Sequence, residues 1–356
     1  MKLTLKDGAM FEGESFGANV SAAGEVVFNT GMVGYVESLS DPSYAGQILV
    51  FSYPLVGNYG VPDRKHFESA KIQAAGLVVA EYSENYSHRD ARESLSEWLK
   101  RSKVPAITGV DTRALTKKLR EHGVMLGCLT NSKSDKGAFT DPNEKNLVAR
   151  VSIKKPETHG NGLATIILVD CGMKENILRS LMRHETKVVR VPWDYDFTND
   201  KYDGIVISNG PGDPQQCEET IANLKRAMIG GKPILGICLG TQLLALSAGA
   251  TTYKLKYGHR SQNQPCIDSE TRRCYITSQN HGYAVDAKSL PSDWKVWFTN
   301  ANDGSVEGIK HRTKPWRAVQ FHPEARPGPT DTAWIFEEFL NEIRNSKSEI
   351  RKNTEI

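Results

Sequence analysis

Cysteine is scarce and unpatterned in this sequence. Six are scattered over 356 residues, with no C-x-x-C pair and no zinc-type spacing. That excludes a disulfide scaffold and a cysteine-built metal finger, and it fits free thiols in a reducing compartment, with the cytoplasm as the expected location. Long apolar runs are also missing: nothing approaches the ~20 residues a membrane span needs. The opening Met1–Gly8 segment has no signal-peptide core and reads as a strand and turn. An excess of charge of either sign is nearly absent. A net charge of +3 gives no argument for a nucleic-acid or membrane partner. There is no Gly-rich loop ending in Lys-Ser/Thr, so no P-loop for nucleotide phosphates. What remains, 39% hydrophobic and 24% charged, is the composition of a soluble globular protein long enough for two domains.

The most informative stretch is Pro233-Ile-Leu-Gly-Ile-Cys-Leu-Gly-Thr-Gln242, followed at once by Leu243-Leu-Ala-Leu246. An apolar run, a Gly-flanked turn and a second apolar run spell strand, sharp turn and helix. This is the form of a nucleophile elbow with Cys238 in the nucleophile's place. At a helix N-terminus the dipole and the free N–H groups favour thiolate over thiol. A Cys nucleophile needs a base that can also return a proton, and that base needs an orienting partner. Phe321-His-Pro-Glu324 at the end of a late strand offers His322 and Glu324, two residues apart and able to share one face. Attack on an amide carbonyl also creates an oxyanion that needs N–H donors in place. The N–H of Leu239 is one candidate. Gly210, in the Asn209-Gly-Pro-Gly-Asp213 loop, is another.

Taken in order, the first 150 residues mix strands and helices. Asp7-Gly8 is a hairpin signal between Leu3–Leu5 and Met10–Glu12. Strands are expected at 25–28, 47–51 and 75–80. Helices are expected around Leu95–Leu99 and from an Asp111 N-cap to a Gly123 C-cap. From about Lys133 to Asn161 the chain turns polar and reads as a domain end plus linker. From Ala164, strands at 165–170, 187–191, 204–208 and 233–237 alternate with helical patterns, which argues for an open, largely parallel sheet covered on both faces. Sites in such sheets lie at the carboxyl ends of the strands. After Thr251 the pattern is strand-rich. A last amphipathic helix carries Trp334, Ile335, Phe339 and Ile343, and a charged tail from Arg344 is expected to fray.

Three segments together resemble the class I, triad-type glutamine amidotransferases: Ser208-Asn-Gly-Pro-Gly-Asp-Pro214, Gly236-Ile-Cys-Leu-Gly-Thr-Gln242 and Phe321-His-Pro-Glu324. Four more narrow the likeness: Phe28-Asn-Thr-Gly-Met-Val-Gly-Tyr35, Asp41-Pro-Ser-Tyr44, Gly109-Val-Asp-Thr-Arg-Ala-Leu115 and Ser278-Gln-Asn-His-Gly-Tyr-Ala-Val-Asp286. These resemble the small, glutaminase subunits of carbamoyl-phosphate synthetases, over nearly the whole chain. The resemblance implies an α/β protein: an N-terminal α+β domain (1–150), a linker (151–163), a doubly wound, flavodoxin-like amidotransferase domain with a mostly parallel sheet (164–346), and a charged tail (347–356). It implies Cys238 as nucleophile, His322 as base and acid, and Glu324 as orienter. L-glutamine would be held by Ser43, Gly210, Gly212, Leu239, Gln242, Asn280, Gly282 and Tyr283, with Ser43 contributed by the N-terminal, partner-contacting domain. It further implies no cofactor and no metal in this chain. A large-subunit partner, in a heterodimer or an oligomer of heterodimers, would use ATP, magnesium and bicarbonate to make carbamoyl phosphate from the released ammonia.

Ser261-Gln-Asn-Gln-Pro265 departs from the family's commonest bacterial pattern, and Gln264-Pro265-Cys266 resembles the fused eukaryotic enzymes. Met1 and the charged tail suggest a free subunit. Three other readings are weighed against this one. The N-terminal motifs argue against an amidotransferase subunit of another synthetase. Intact Cys238, His322 and Glu324 argue against a catalytically silent, glutamine-sensing subunit. A stand-alone cysteine amidase would need no second domain and no partner.

Overall fold

The computed structural model describes residues 1–131 and 139–354, with side chains described up to residue 346. It divides into two compact units, Met1–Leu147 and Val148–Ile356. The polar stretch read from Lys133 begins outside the described residues, as do the side chains of the 347–356 tail.

The first unit is built on an eight-stranded mixed sheet. Its edge hairpin pairs Lys2–Leu5 with Met10–Glu12 across the Asp7-Gly8 turn, and Gly8 takes φ +90° as that turn requires. Inner strands Ala22–Asn29, Gln47–Phe51 and Gly76–Val78 run parallel. The Leu95–Arg101 helix starts on a capping box, in which Ser94 and Glu97 satisfy each other's backbone donors. Asp111 caps Thr112–His122, its Oδ1 accepting the Ala114 N–H at 2.8 Å, and Gly123 ends that helix at φ +96°. Leu95, Leu99 and Trp98 pack with Leu49, Phe51 and Leu77 in this unit's core.

The second unit holds a ten-stranded sheet. Five parallel strands form its centre in the order Thr186–Pro192, Ala164–Asp170, Gly204–Ile207, Ile234–Ile237, Trp316–Val319. In chain order that is 2-1-3-4-5, the flavodoxin-like doubly wound arrangement. These strands are near-continuous apolar runs because both sheet faces are covered. One layer packs the Leu239–Ser247 and Glu218–Ile229 helices, and the other packs Glu175–Met182 and the C-terminal helix. Beyond Trp316–Val319 the sheet continues antiparallel through Val306–His311, Trp294–Asn300, Thr252–Asp268 and Cys274–Val285.

Two expectations are corrected here. Residues 151–163 are not a plain linker: Leu147–Val151 is helical, and Glu157–His159 pairs antiparallel with Thr186–Pro192 at the sheet edge. A polar strand is stable there because an edge needs backbone pairing and no apolar face. The charged end does not fray at Arg344, since the last helix runs Trp334–Thr354. Glu, Lys and Arg are good helix formers. Ser261–Pro265 lies inside the long Thr252–Asp268 strand, with a register shift between Ser261 and Gln264. No helix among the described residues is long and apolar enough to cross a membrane.

Candidate active site

The Ile234–Ile237 strand is buried along its whole length and passes into the Leu239–Ser247 helix through one residue, Cys238. To make that turn Cys238 adopts φ +53°, ψ −105°. A non-glycine residue in so sparsely populated a region costs about 1–3 kcal/mol, and such strain clusters at functional sites. The turn is pinned by two backbone bonds, Cys238 N–H to Val319 O (2.8 Å) and Thr241 N–H to Cys238 O (3.0 Å). Its glycines are needed for close approach. A Cβ on Gly240 would lie 2.2 Å from Ile207 O, and one on Gly236 would lie 2.6 Å from Gly240 O.

The next strand of the parallel set, Trp316–Val319, delivers Phe321-His-Pro-Glu324 to the same carboxyl edge. His322 Nδ1 lies 2.6 Å from Glu324 Oε1, with the two side chains 2% and 0% exposed. A carboxylate can only accept, so Nδ1 donates and the ring's orientation is set. Nε2 is buried, and Cys238 is the thiol that acts on this ring, both electrostatically and through a hydrogen bond. Burial would lower the His322 pKa, but the Glu324 carboxylate outweighs it and holds the ring well above its ordinary value. Burial would likewise raise Glu324, but Lys174 and then His322 hold it well below the usual carboxylate range.

Lys174 is the residue that sequence reasoning missed. Its Nζ donates to Glu324 Oε1 at 3.1 Å and to Ala325 O at 2.5 Å, and Asn176 Nδ2 donates to Glu324 O. Lys174 follows the strand ending in Asp170, whose Oδ1 accepts the N–H groups of Gly172 and Met173, both at 2.8 Å. The signal that could have found it was position: it stands just past the carboxyl end of a central parallel strand. Three of the other cysteines, Cys171, Cys217 and Cys266, do not compete for the nucleophile's part. Burial pushes the Cys171 and Cys266 thiols far up and Cys217 up to about 12, so they persist as thiols.

Gly210 and Leu239 adjoin: a Cβ on Gly210 would sit 2.0 Å from Cys171 O and 2.8 Å from Leu239 Cδ2. Leu239 occupies the first helical position, where the N–H has no intrahelical acceptor. Neither N–H donates to a group among the described residues. Gly212 takes φ +87° in the same loop. The Cys274–Val285 strand brings up the rest of the expected set. Cys238 Sγ donates to Asn280 O at 3.6 Å, and Gln242 Nε2 donates to Tyr283 O at 3.0 Å and to Gln320 Oε1 at 3.1 Å. Gly282 stands between Asn280 and Tyr283 on that strand. Ser43 belongs to the first unit, buried in a one-turn helix where its N–H donates to Asp41 Oδ1 at 2.9 Å.

A strained thiol, a buried imidazole held by a carboxylate, and unused N–H donors beside the thiol make a site for acyl transfer through sulfur. Comparison with known proteins follows the same line. Residues 167–342 match the family model "Glutamine amidotransferase class-I", and residues 3–129 match "Carbamoyl-phosphate synthase small chain, CPSase domain". The chain is 52% identical to the carbamoyl phosphate synthase arginine-specific small chain of Schizosaccharomyces pombe, over 97% of this chain and 88% of that one. This chain belongs to the carbamoyl phosphate synthase small chain family. Its second unit contains that family's class I glutamine amidotransferase domain. The corresponding small chain of Chaetomium globosum is also 52% identical, with 78% of its length covered. The multifunctional protein CAD of Squalus acanthias is 53% identical over 97% of this chain, but the match spans only 16% of that much longer protein.

Proposed function

We propose that this small chain is the glutaminase of a glutamine-hydrolysing carbamoyl-phosphate synthetase. The observation that carries the reading is Cys238, held at φ +53° beside the buried His322–Glu324 pair. His322 takes the Cys238 proton, and the sulfur attacks as thiolate. Sulfur bonds to the amide carbon of L-glutamine, and the carbonyl π pair moves to oxygen, where the Leu239 and Gly210 N–H groups receive it. Collapse breaks the C–N bond, and the departing nitrogen takes the His322 proton and leaves as ammonia. His322 then accepts a proton from water as its oxygen attacks the glutamyl thioester. Glutamate departs, and the thiolate–imidazolium pair is restored.

Gln242, Asn280, Gly282, Tyr283 and Gly212 are proposed to hold the amino-acid end of glutamine, together with Ser43 on the strength of the family resemblance. The ammonia passes to a large-subunit partner, which the N-terminal unit engages and which combines it with bicarbonate using ATP and magnesium. A reducing cytoplasmic setting belongs to this reading, because all six cysteines are unpaired and the nucleophile must stay reduced. The test is glutamine hydrolysis by the purified chain, alone and with a large subunit. Slow hydrolysis that accelerates when partner, bicarbonate and ATP are present supports the reading. Hydrolysis indifferent to the partner overturns the coupling, and no hydrolysis in either case overturns the glutaminase.

A further inference from the structure

One buried cluster has no part in this chemistry. His259 on the Thr252–Asp268 strand, His281 on the Cys274–Val285 strand and Glu307 on the Val306–His311 strand each place one ligating atom within 4.8 Å of the others. All three are buried, and the Glu307 side chain is 0% exposed.

Both histidines are oriented from their far sides. His281 Nδ1 lies 2.8 Å from the Tyr283 carbonyl, which can only accept, so Nδ1 carries the proton and Nε2 of the neutral ring presents a lone pair. His259 Nε2 lies 2.9 Å from Asp303 Oδ2, so Nε2–H donates to a carboxylate and in the neutral ring Nδ1 presents the lone pair. Both lone pairs turn toward oxygen acceptors. His259 Nδ1 stands 3.2 Å from Glu307 Oε1, out of line for a hydrogen bond. His281 Nε2 stands 4.0 Å from the same oxygen and 3.0 Å from Gln279 Oε1. Asn300 Nδ2 reaches Glu307 Oε1 at 3.1 Å. His259 Nδ1 and Glu307 Oε2 are left buried with no hydrogen-bond partner among the described residues. Acceptors gathered at one point repel one another unless a cation joins them.

We propose that His259 Nδ1, His281 Nε2 and Glu307 form a divalent transition-metal site of the zinc class, with Gln279 Oε1 as a further donor. Two imidazoles and a carboxylate suit zinc, whereas magnesium and calcium take oxygen sets. A histidine whose other nitrogen is tied to a carboxylate or a carbonyl is the usual outer arrangement of such ligands. Tetrahedral zinc spaces its ligands about 3.4 Å apart. The His259–Glu307 separation of 3.2 Å already matches, His281 Nε2 has to close on Glu307 by roughly 0.6 Å, and all three atoms lie within 4.8 Å of one another. The site adjoins the thiol pocket through Gln320, whose N–H donates to Glu307 O at 2.8 Å while its side chain accepts from Gln242. The cysteine spacings hold no trace of it, because no cysteine takes part.

The test uses the full chain carrying Cys238→Ser, which removes the competing thiolate, titrated with Co²⁺ as a spectroscopic stand-in. The expected result is one Co²⁺ per chain with a visible ligand-field band that Zn²⁺ displaces. His259→Ala and Glu307→Gln, shown folded by circular dichroism without metal, lose the band, and His322→Asn keeps it. Asp303→Asn, at a side chain 44% exposed that keeps an Oδ1 acceptor for Ser305, weakens Co²⁺ binding by about 10–100-fold. No bound Co²⁺, binding equal in every variant, or loss of the band in His322→Asn overturns the proposal. Should Glu307→Gln fail to fold, an unchanged affinity in Asp303→Asn overturns it alone. A protonated His259 bridging two carboxylates would be the metal-free explanation.

Discussion

Lys174 Nζ stands 3.1 Å from Glu324 Oε1, with the two side chains 4% and 0% exposed. The carboxylate that orients His322 is therefore shared between an imidazole and an ammonium, and none of the three reaches bulk water. Removing one partner of a buried pair leaves an uncompensated charge, at about 3–5 kcal/mol. Lys174→Met should lower stability by that order and reduce glutaminase turnover. Adding Glu324→Gln should recover part of the stability and none of the turnover. Thermal melts and kcat on the three variants check this, and strictly additive stability losses would count against the shared carboxylate.

Glu324→Gln also has a pH signature. The raised His322 pKa contributes stability that is fully present below the unfolded value near 6.5 and is lost as pH rises through the folded value. The lowered Glu324 pKa contributes stability that is present above the unfolded carboxylate value and is lost as pH falls through the folded one. The stability gap between wild type and Glu324→Gln should therefore be widest between about pH 4.5 and 6.5 and narrow on either side. Denaturant midpoints at pH 3.5, 5.5 and 9 measure it. A gap independent of pH would show the pair is not ionised as described.

Cys238→Ser should abolish glutamine-dependent carbamoyl phosphate synthesis by the complex and leave ammonia-dependent synthesis intact, because in the proposed mechanism the thiol serves only ammonia release. Loss of both activities in the reconstituted complex would sink that division of labour.

The backbone at 238 should reverse the usual order of small residues. Cys238→Gly and Cys238→Ala both lack the thiol, so their difference isolates the cost of φ +53°. Glycine adopts that region freely, offsetting its unfolded-state entropy of about 0.5–1 kcal/mol. Cys238→Gly should melt at or above Cys238→Ala, and a clearly lower melt would mean the turn is not strained.

Gly210→Ala places a methyl 2.0 Å from Cys171 O, so the loop has to move and its N–H leaves the Leu239 neighbourhood. Loss of one oxyanion donor should reduce kcat by about 10²–10³-fold with a smaller change in KM. Steady-state glutamine hydrolysis reads this directly, and a near-normal kcat would remove Gly210 from the oxyanion assignment.

Much of this was legible in the chain. Gly236-Ile-Cys-Leu-Gly240 announces a strand-to-helix elbow because only glycine at 236 and 240 lets the backbones approach so closely. The apolar runs at 165–170, 204–208 and 233–237 announce a sheet covered on both faces. His322 and Glu324 were readable because they are two residues apart, and their separation on a strand end is a local matter. Glu157–His159 was not readable: its stability comes from pairing with residues 188–190, and nothing in its own alternation marks an edge strand.

The sequence by itself determined the local chemistry: which cysteine turns a corner, which carboxylate lies within reach of which histidine, and where strands alternate with helices. Only the tertiary structure decided what sits beside these groups. Lys174 and Glu324 are 150 positions apart, and His259, His281 and Glu307 come from three strands. Periodicity and turn chemistry are encoded over a few neighbouring residues. The charge and hydrogen-bond environment of a buried group is set by whichever strands the sheet places around it.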